Sequence, residues 1–196
     1  MNSRAKPQSI TMTRGLFNDR SSRSVAAKRV LLTGTVLLIG TLQIFDLAGL
    51  RINTSPSLPV GLYQTTSNPA ATLVEFCPGS ALGVLALERG YRSAGSCGDG
   101  GAPLLKPVVA KWGDVVDVSQ DGLAVNGRSV ANTAPMAADI KGRHLVSWPS
   151  GHYVVSRGEV WVASSFNPRS FDSRYFGPVP VSAIHDHLRP LITFGK

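Results

Sequence analysis

Three segments of this chain set serine, lysine or paired charges where chemistry can be done. The first reads Asn53-Thr54-Ser55-Pro56-Ser57-Leu58-Pro59-Val60-Gly61-Leu62-Tyr63. Proline fixes its own φ and restricts the residue before it, so a serine hydroxyl between Pro56 and Pro59 is held in one direction. Ser and Pro equally mark a solvated linker. The second segment runs Leu104-Leu105-Lys106-Pro107-Val108-Val109-Ala110-Lys111-Trp112-Gly113-Asp114. A lysine among apolar side chains has its charged form disfavoured, which moves it toward a neutral amine able to accept a proton. The plainer alternative is an edge-strand lysine whose ammonium reaches out to water. The third, Ser170-Phe171-Asp172-Ser173-Arg174-Tyr175-Phe176-Gly177-Pro178, brings Asp172 and Arg174 near enough to pair. A structural ion pair in a loop fits it as well.

The elements that must position these residues follow from composition. At 196 residues, 43% of them hydrophobic, the chain has room for one domain with a modest core. The net charge of +8 is not a nucleic-acid footprint, because it is concentrated at one end. Residues 1–29 carry seven Lys or Arg against the single acid Asp19, and the remaining 167 residues are only +2. Sixteen uncharged residues follow, Val30 to Phe45, and the apolar character continues past Asp46 to Leu50. This is close to the ~20 residues of one membrane span, with Asp46 near an interface. Positive charge before the span places the N-terminus in the cytoplasm and the rest outside. The absence of an A-x-A-like site favours an uncleaved anchor over a signal peptide. The division is a basic cytoplasmic tail over 1–29, an anchor over 30–50 and an exported domain over 51–196.

From Ile52 onward short apolar runs alternate with Gly, Pro, Asn and Asp, the pattern of β structure. Strands are expected at 61–65, 72–76, 106–110, 115–118, 123–125, 153–155, 160–164 and 188–194, with one short helix over 79–87. Asp121-Gly122 and Asn126-Gly127 supply turn residues tolerant of positive φ. Cys77 and Cys97 enclose a Gly-rich loop, and an even pair in an oxidising compartment is expected to be a disulfide. Neither these cysteines nor the four histidines have metal-ligand spacing, so no metal or other cofactor is expected.

In order and position, the three segments resemble the boxes of the signal peptidase I (S26) superfamily, and most of all its TraF-type branch of conjugative transfer peptidases. Ser55-Pro56-Ser57-Leu58-Pro59 stands where signal peptidases have Ser-x-Ser-Met-x-Pro, and Ser57 to Tyr63 is similar to the S-x-P-x-G-x-Y form of that branch. Lys106, with Gly113 and Asp114 at the right steps, resembles the Lys-Arg-x-x-Gly-x-x-Gly-Asp box. Ser170 to Gly177 matches Ser-x-Asp-Ser-Arg-Tyr-x-Gly almost position for position. Leu58 for Met, Pro107 for Arg, Ala110 for Gly and the intervening Pro56 depart from the general signal peptidase pattern.

The resemblance implies a mainly β fold, a coiled antiparallel sheet domain behind one N-terminal transmembrane helix. It implies a serine nucleophile, Ser57, activated by Lys106 as general base, the Ser-Lys variant of triad logic. Ser170 would orient the Lys106 amine, the Ser57 N–H with the Ser55 hydroxyl would hold the oxyanion, and Asp172 and Arg174 would support the site. It implies single-pass residence in a bacterial inner membrane with a periplasmic catalytic domain. The expected partners are a pilin-type or other exported precursor and the transfer (type IV secretion) apparatus, with no nucleic acid. General signal-peptide removal and a catalytically silent, membrane-tethered interaction module are the alternatives.

Overall fold

The computed structural model describes residues 28–36, 40, 44, 45 and 47–195, and the chain divides into two units, 1–45 and 46–196. In the first unit residues 28–36 are helical, and Val30, Leu31, Leu32 and Val36 are exposed. Among the described residues no helix is long and apolar enough to cross a membrane. Much of the expected span, and the basic tail up to residue 27, lie outside the described residues. Leu50, the last residue of that expected span, opens the first strand of the second unit and pairs with Gln64.

The second unit is mainly β, and its strand pairs are antiparallel. The strands are β1 (Leu50–Asn53), β2 (Val60–Thr66), β3 (Leu73–Phe76), β4 (Leu104–Lys111), β5 (Val115–Ser119), β6 (Gly122–Val125), β7 (Arg128–Ser129), β8 (Gly151–Val154), β9 (Glu159–Val162), β10 (Val179–Pro180) and β11 (Ile184–Phe194). Seven form one sheet in the order β1-β2-β11-β3-β4-β9-β10, and four form a second in the order β7-β6-β5-β8. Register breaks at 190–192 and 184–186 of β11 and at 108–110 of β4 interrupt the large sheet. Such irregularities bend strands and increase their twist, which curls a sheet. In keeping with this, Arg51 of β1 bonds Glu75 of β3 although two strands lie between them.

β9 shows how alternation builds two cores at once, since successive side chains of a strand point to opposite faces. Val160 and Val162 enter a cluster with Val74, Phe76, Leu104, Phe176 and Val179, while Trp161 between them joins Ala110, Val116, Val118, Leu123, Val155 and Ala163. β4 gives Leu104 to the first cluster and, beyond its register break at 108–110, Ala110 to the second. Its end, Lys111 to Asp114, turns the chain into the small sheet. There the Asp114 carboxylate accepts from the Lys111 N–H at 2.9 Å and from Asn126 Nδ2 at 2.8 Å. The Lys111 N–H first, then the Asn126 amide, hold this carboxyl below its ordinary pKa. Asp114 is thus a turn residue.

A small third cluster of Leu58, Tyr63 and Leu188 underlies the Ser57 loop. Cys77 and Cys97 form a disulfide that closes the segment carrying the helix Ser80–Glu88. Closing a loop of this length removes about 3 kcal/mol of chain entropy from the unfolded state.

Candidate active site

Ser57 lies in a turn between β1 and β2 whose path is fixed by Asn53. The Asn53 side-chain amide donates to the carbonyls of Ser55, Leu58 and Pro59 at 3.0, 3.2 and 3.1 Å, and its Oδ1 accepts from the Ser55 N–H. Tyr63, 1% exposed, donates its hydroxyl to the Pro59 carbonyl at 2.7 Å. Gly61 is required by the approach of β11, because a Cβ there would stand 2.1 Å from the Ile192 carbonyl oxygen. The Pro-x-Gly-x-Tyr spacing after Ser57 therefore has a physical basis in holding this turn against the sheet.

Lys106, 4% exposed, sits in the middle of the sheet, paired with Val74 of β3. Its Nζ is 2.6 Å from Ser57 Oγ and 2.9 Å from Ser170 Oγ. The edge-strand alternative is excluded, because β4 is flanked by β3 and β9 and the ammonium does not reach water. Burial first, joined by the Arg174 charge and opposed by that of Asp172, brings the Lys106 pKa down from 10.5 to about 8. As an ammonium it donates to both hydroxyls. Once neutral, it presents a lone pair to the Ser57 O–H.

Ser170 is held from behind by the Asp172–Arg174 pair. Arg174 Nε and Nη2 donate to the two Asp172 oxygens at 2.8 and 2.9 Å. Nη2 also donates to the Ser170 carbonyl at 2.8 Å, and Nη1 to the carbonyls of Pro168 and Asn132 at 2.8 and 3.1 Å. Asp172 and Arg174 are 0% and 1% exposed, so both charges are desolvated and fully bonded, the condition under which a buried pair is tolerated. Asp172 also caps the short helix Ser173–Phe176, where its carboxylate accepts from the Arg174 N–H. Gly177 ends that helix with φ +71° against Trp148, whose ring atoms would lie 2.7 Å from any Cβ.

The structure thus brings Ser57, Lys106 and Ser170 together, with Asp172 and Arg174 behind them. Ser55 differs from expectation in detail. Its Oγ accepts from the Ser57 N–H at 3.3 Å, so the two expected oxyanion donors are bonded to each other and only the Ser55 hydroxyl proton remains to be given outward. Cys77 and Cys97 stand outside the site, as a covalent tie of the segment walling it.

Two positioning residues were not singled out from sequence. Asn53 carried a signal, since Asn two residues before a backbone N–H forms an Asx turn. Ser164 did not. Buried at the end of the expected strand 160–164, it donates to the Ser57 carbonyl at 2.5 Å, accepts from the Phe166 and Asn167 N–H groups, and has its own N–H on Asp172 Oδ2. A cleft of about 710 Å³ opens onto Ser57 and Lys106, with Ile52, Met136, Ile140, Leu145 and Phe171 among its walls.

A signal peptidase I crystal structure from Enterococcus faecalis V583 superposes with a TM-score of 0.35 at 18% identity, covering 63% of this chain and 98% of that one. A plasmid transfer protein TraF of Escherichia coli is 44% identical over 151 residues, 75% of this chain and 84% of that protein. A conjugal transfer protein TraF of Agrobacterium tumefaciens (strain 15955) is 38% identical over 169 residues, 83% of this chain and 94% of that protein. The family model for signal peptidase, peptidase S26, matches residues 23–191, and the chain is a TraF-type member of that family.

Proposed function

We propose that the chain is a membrane-anchored serine endopeptidase that processes a pilin-type or other exported precursor in a conjugative transfer system. The observation that carries this reading is the buried Lys106 Nζ lying 2.6 Å from Ser57 Oγ at the floor of a cleft. Neutral Lys106 takes the Ser57 hydroxyl proton as Oγ attacks the scissile carbonyl, and the Ser55 hydroxyl donates to the oxyanion. Collapse breaks the C–N bond, and the leaving amine receives the proton from Lys106. An acyl-enzyme on Ser57 remains, and water, or an amine such as the substrate's own N-terminus, releases it after giving a proton to Lys106. Ser170 keeps the Lys106 amine on line throughout.

The membrane anchor over residues 30–50, with a cytoplasmic N-terminus and a periplasmic domain, is part of the same proposal. It is supported by the basic residues before the span and by exposed Val30, Leu31, Leu32 and Val36.

Processing of membrane precursors by the full chain should be lost in both Ser57→Ala and Lys106→Ala. If processing survives both changes, the peptidase reading is wrong and a silent interaction module takes its place. Rescue of a cell lacking its housekeeping signal peptidase would instead favour a general signal peptidase.

A further inference from the structure

The charges that line the cleft are Arg51, Glu75, Arg92, Lys106, Asp139 and Arg169. Five have an account. Arg51 pairs with Glu75 at 3.0 Å, Arg92 with Asp99 at 2.5 Å, and Asp139 with Arg143 at 2.7 Å. Lys106 is the amine of the dyad. Arg169 is exposed, and its guanidinium has no hydrogen bond or ion pair to any described residue.

An exposed arginine usually does no more than hold water, but the main chain that carries this one is held on both sides. Its N–H donates to Asn167 Oδ1 at 2.9 Å, and the Asn167 N–H is in turn bonded to Ser164 Oγ, the group that holds the Ser57 carbonyl. On either side, the carbonyls of Pro168 and Ser170 are both fixed by Arg174. Two side chains therefore connect the Arg169 backbone to the Ser57 backbone, and Ser170 next to it touches Lys106. A planar guanidinium with open donors, carried on a backbone tied to the Ser57 turn and lining a cleft whose carboxylates, Glu75 and Asp139, are both paired, suits bidentate recognition of a carboxylate.

We propose that Arg169 is a specificity-determining residue that binds a carboxylate of the peptide substrate close to the scissile bond. This rests on the peptidase reading given above. The carboxylate has two possible sources, an Asp or Glu side chain near the cut or the free C-terminus of the peptide.

The test uses the full chain in phospholipid vesicles and a peptide library with Ala fixed at the centre and the flanking positions randomised. The library is prepared in two sets, free acid and amide at the C-terminus, with cut sites read by mass spectrometry. The wild type should favour Asp or Glu at one position by about tenfold if the side chain is bound, or the free-acid set by about tenfold if the terminus is bound. Either preference should vanish in Arg169→Ala and turn toward Lys or Arg in Arg169→Glu. Identical selectivity in wild type and Arg169→Ala would overturn the proposal. So would weaker binding to anionic vesicles with selectivity unchanged, which would assign Arg169 to lipid phosphate. If the wild type cuts neither set and behaves like Ser57→Ala, the peptidase reading itself fails, an outcome separate from a loss of selectivity alone.

Discussion

The hydroxyl of Ser164 donates to the main-chain carbonyl of Ser57 at 2.5 Å, while the Ser164 N–H rests on Asp172. One small side chain thus joins the Ser57 turn to the buried ion pair, across a separation of 107 residues. Removing its hydroxyl leaves the Ser57 carbonyl and the Phe166 and Asn167 N–H groups short of a partner. Ser164→Ala should cost about 1–3 kcal/mol of stability. It should also lower kcat about tenfold with KM little changed, because Ser57, the proposed nucleophile, loses its fixed direction. Full kcat in Ser164→Ala, measured beside its denaturation curve, would show that the contact is only structural.

Asp172→Asn tests how the buried pair bears on Lys106, the proposed base. The Asp172 charge raises the Lys106 pKa and Arg174 lowers it, so removing the first leaves the second unopposed. The midpoint of the pH–rate profile should therefore move below about 8. Stability should fall by about 3–5 kcal/mol, since Arg174 stays buried without its counter-ion. A midpoint that stays put or rises would contradict this reading of the charges.

Lys106 should be visible in stability as well. Its folded-state pKa of about 8 lies below the unfolded value of 10.5, so between these pH values the unfolded chain binds more protons. The penalty for burying the ammonium is full below pH 8, declines as pH rises, and is gone above 10.5. It amounts to about 3 kcal/mol. Urea denaturation of wild type and Lys106→Met from pH 7 to 11 should show the wild type gaining on the variant by about that amount. Parallel curves would mean that the lysine is not depressed.

Much of this fold was readable in the sequence, for reasons that differ by element. Strands such as β5 and β6 met expectation because alternation and an Asp-Gly turn specify a hairpin locally. The expected helix over 79–87 is Ser80–Glu88, displaced by one residue. β7 and β10 are two residues each and carry no period to detect, and β11 extends four residues before its expected start at 188. β1 was hidden because Leu50 to Asn53 follows directly on the apolar run and continues its character.

At the site, the boxes named Ser57, Lys106, Ser170, Asp172 and Arg174, but spacing along the chain cannot reveal a contact across 107 residues, so Ser164 was missed. Nor could it show that the Ser57 N–H is already bonded to Ser55. That the lysine lies inside a sheet, and not on its edge, is a property of strand order, which local sequence does not encode.

Activation of Ser57 by a neutral Lys106 is tested most directly by the pH dependence of kcat/KM for processing by the full chain. The rate should rise about tenfold for each pH unit at acid pH and level off above a midpoint near 8, the value burial gives Lys106. A profile flat from pH 6 to about 9.5, or one governed by an ionisation near the ordinary histidine value of about 6.5, would contradict it.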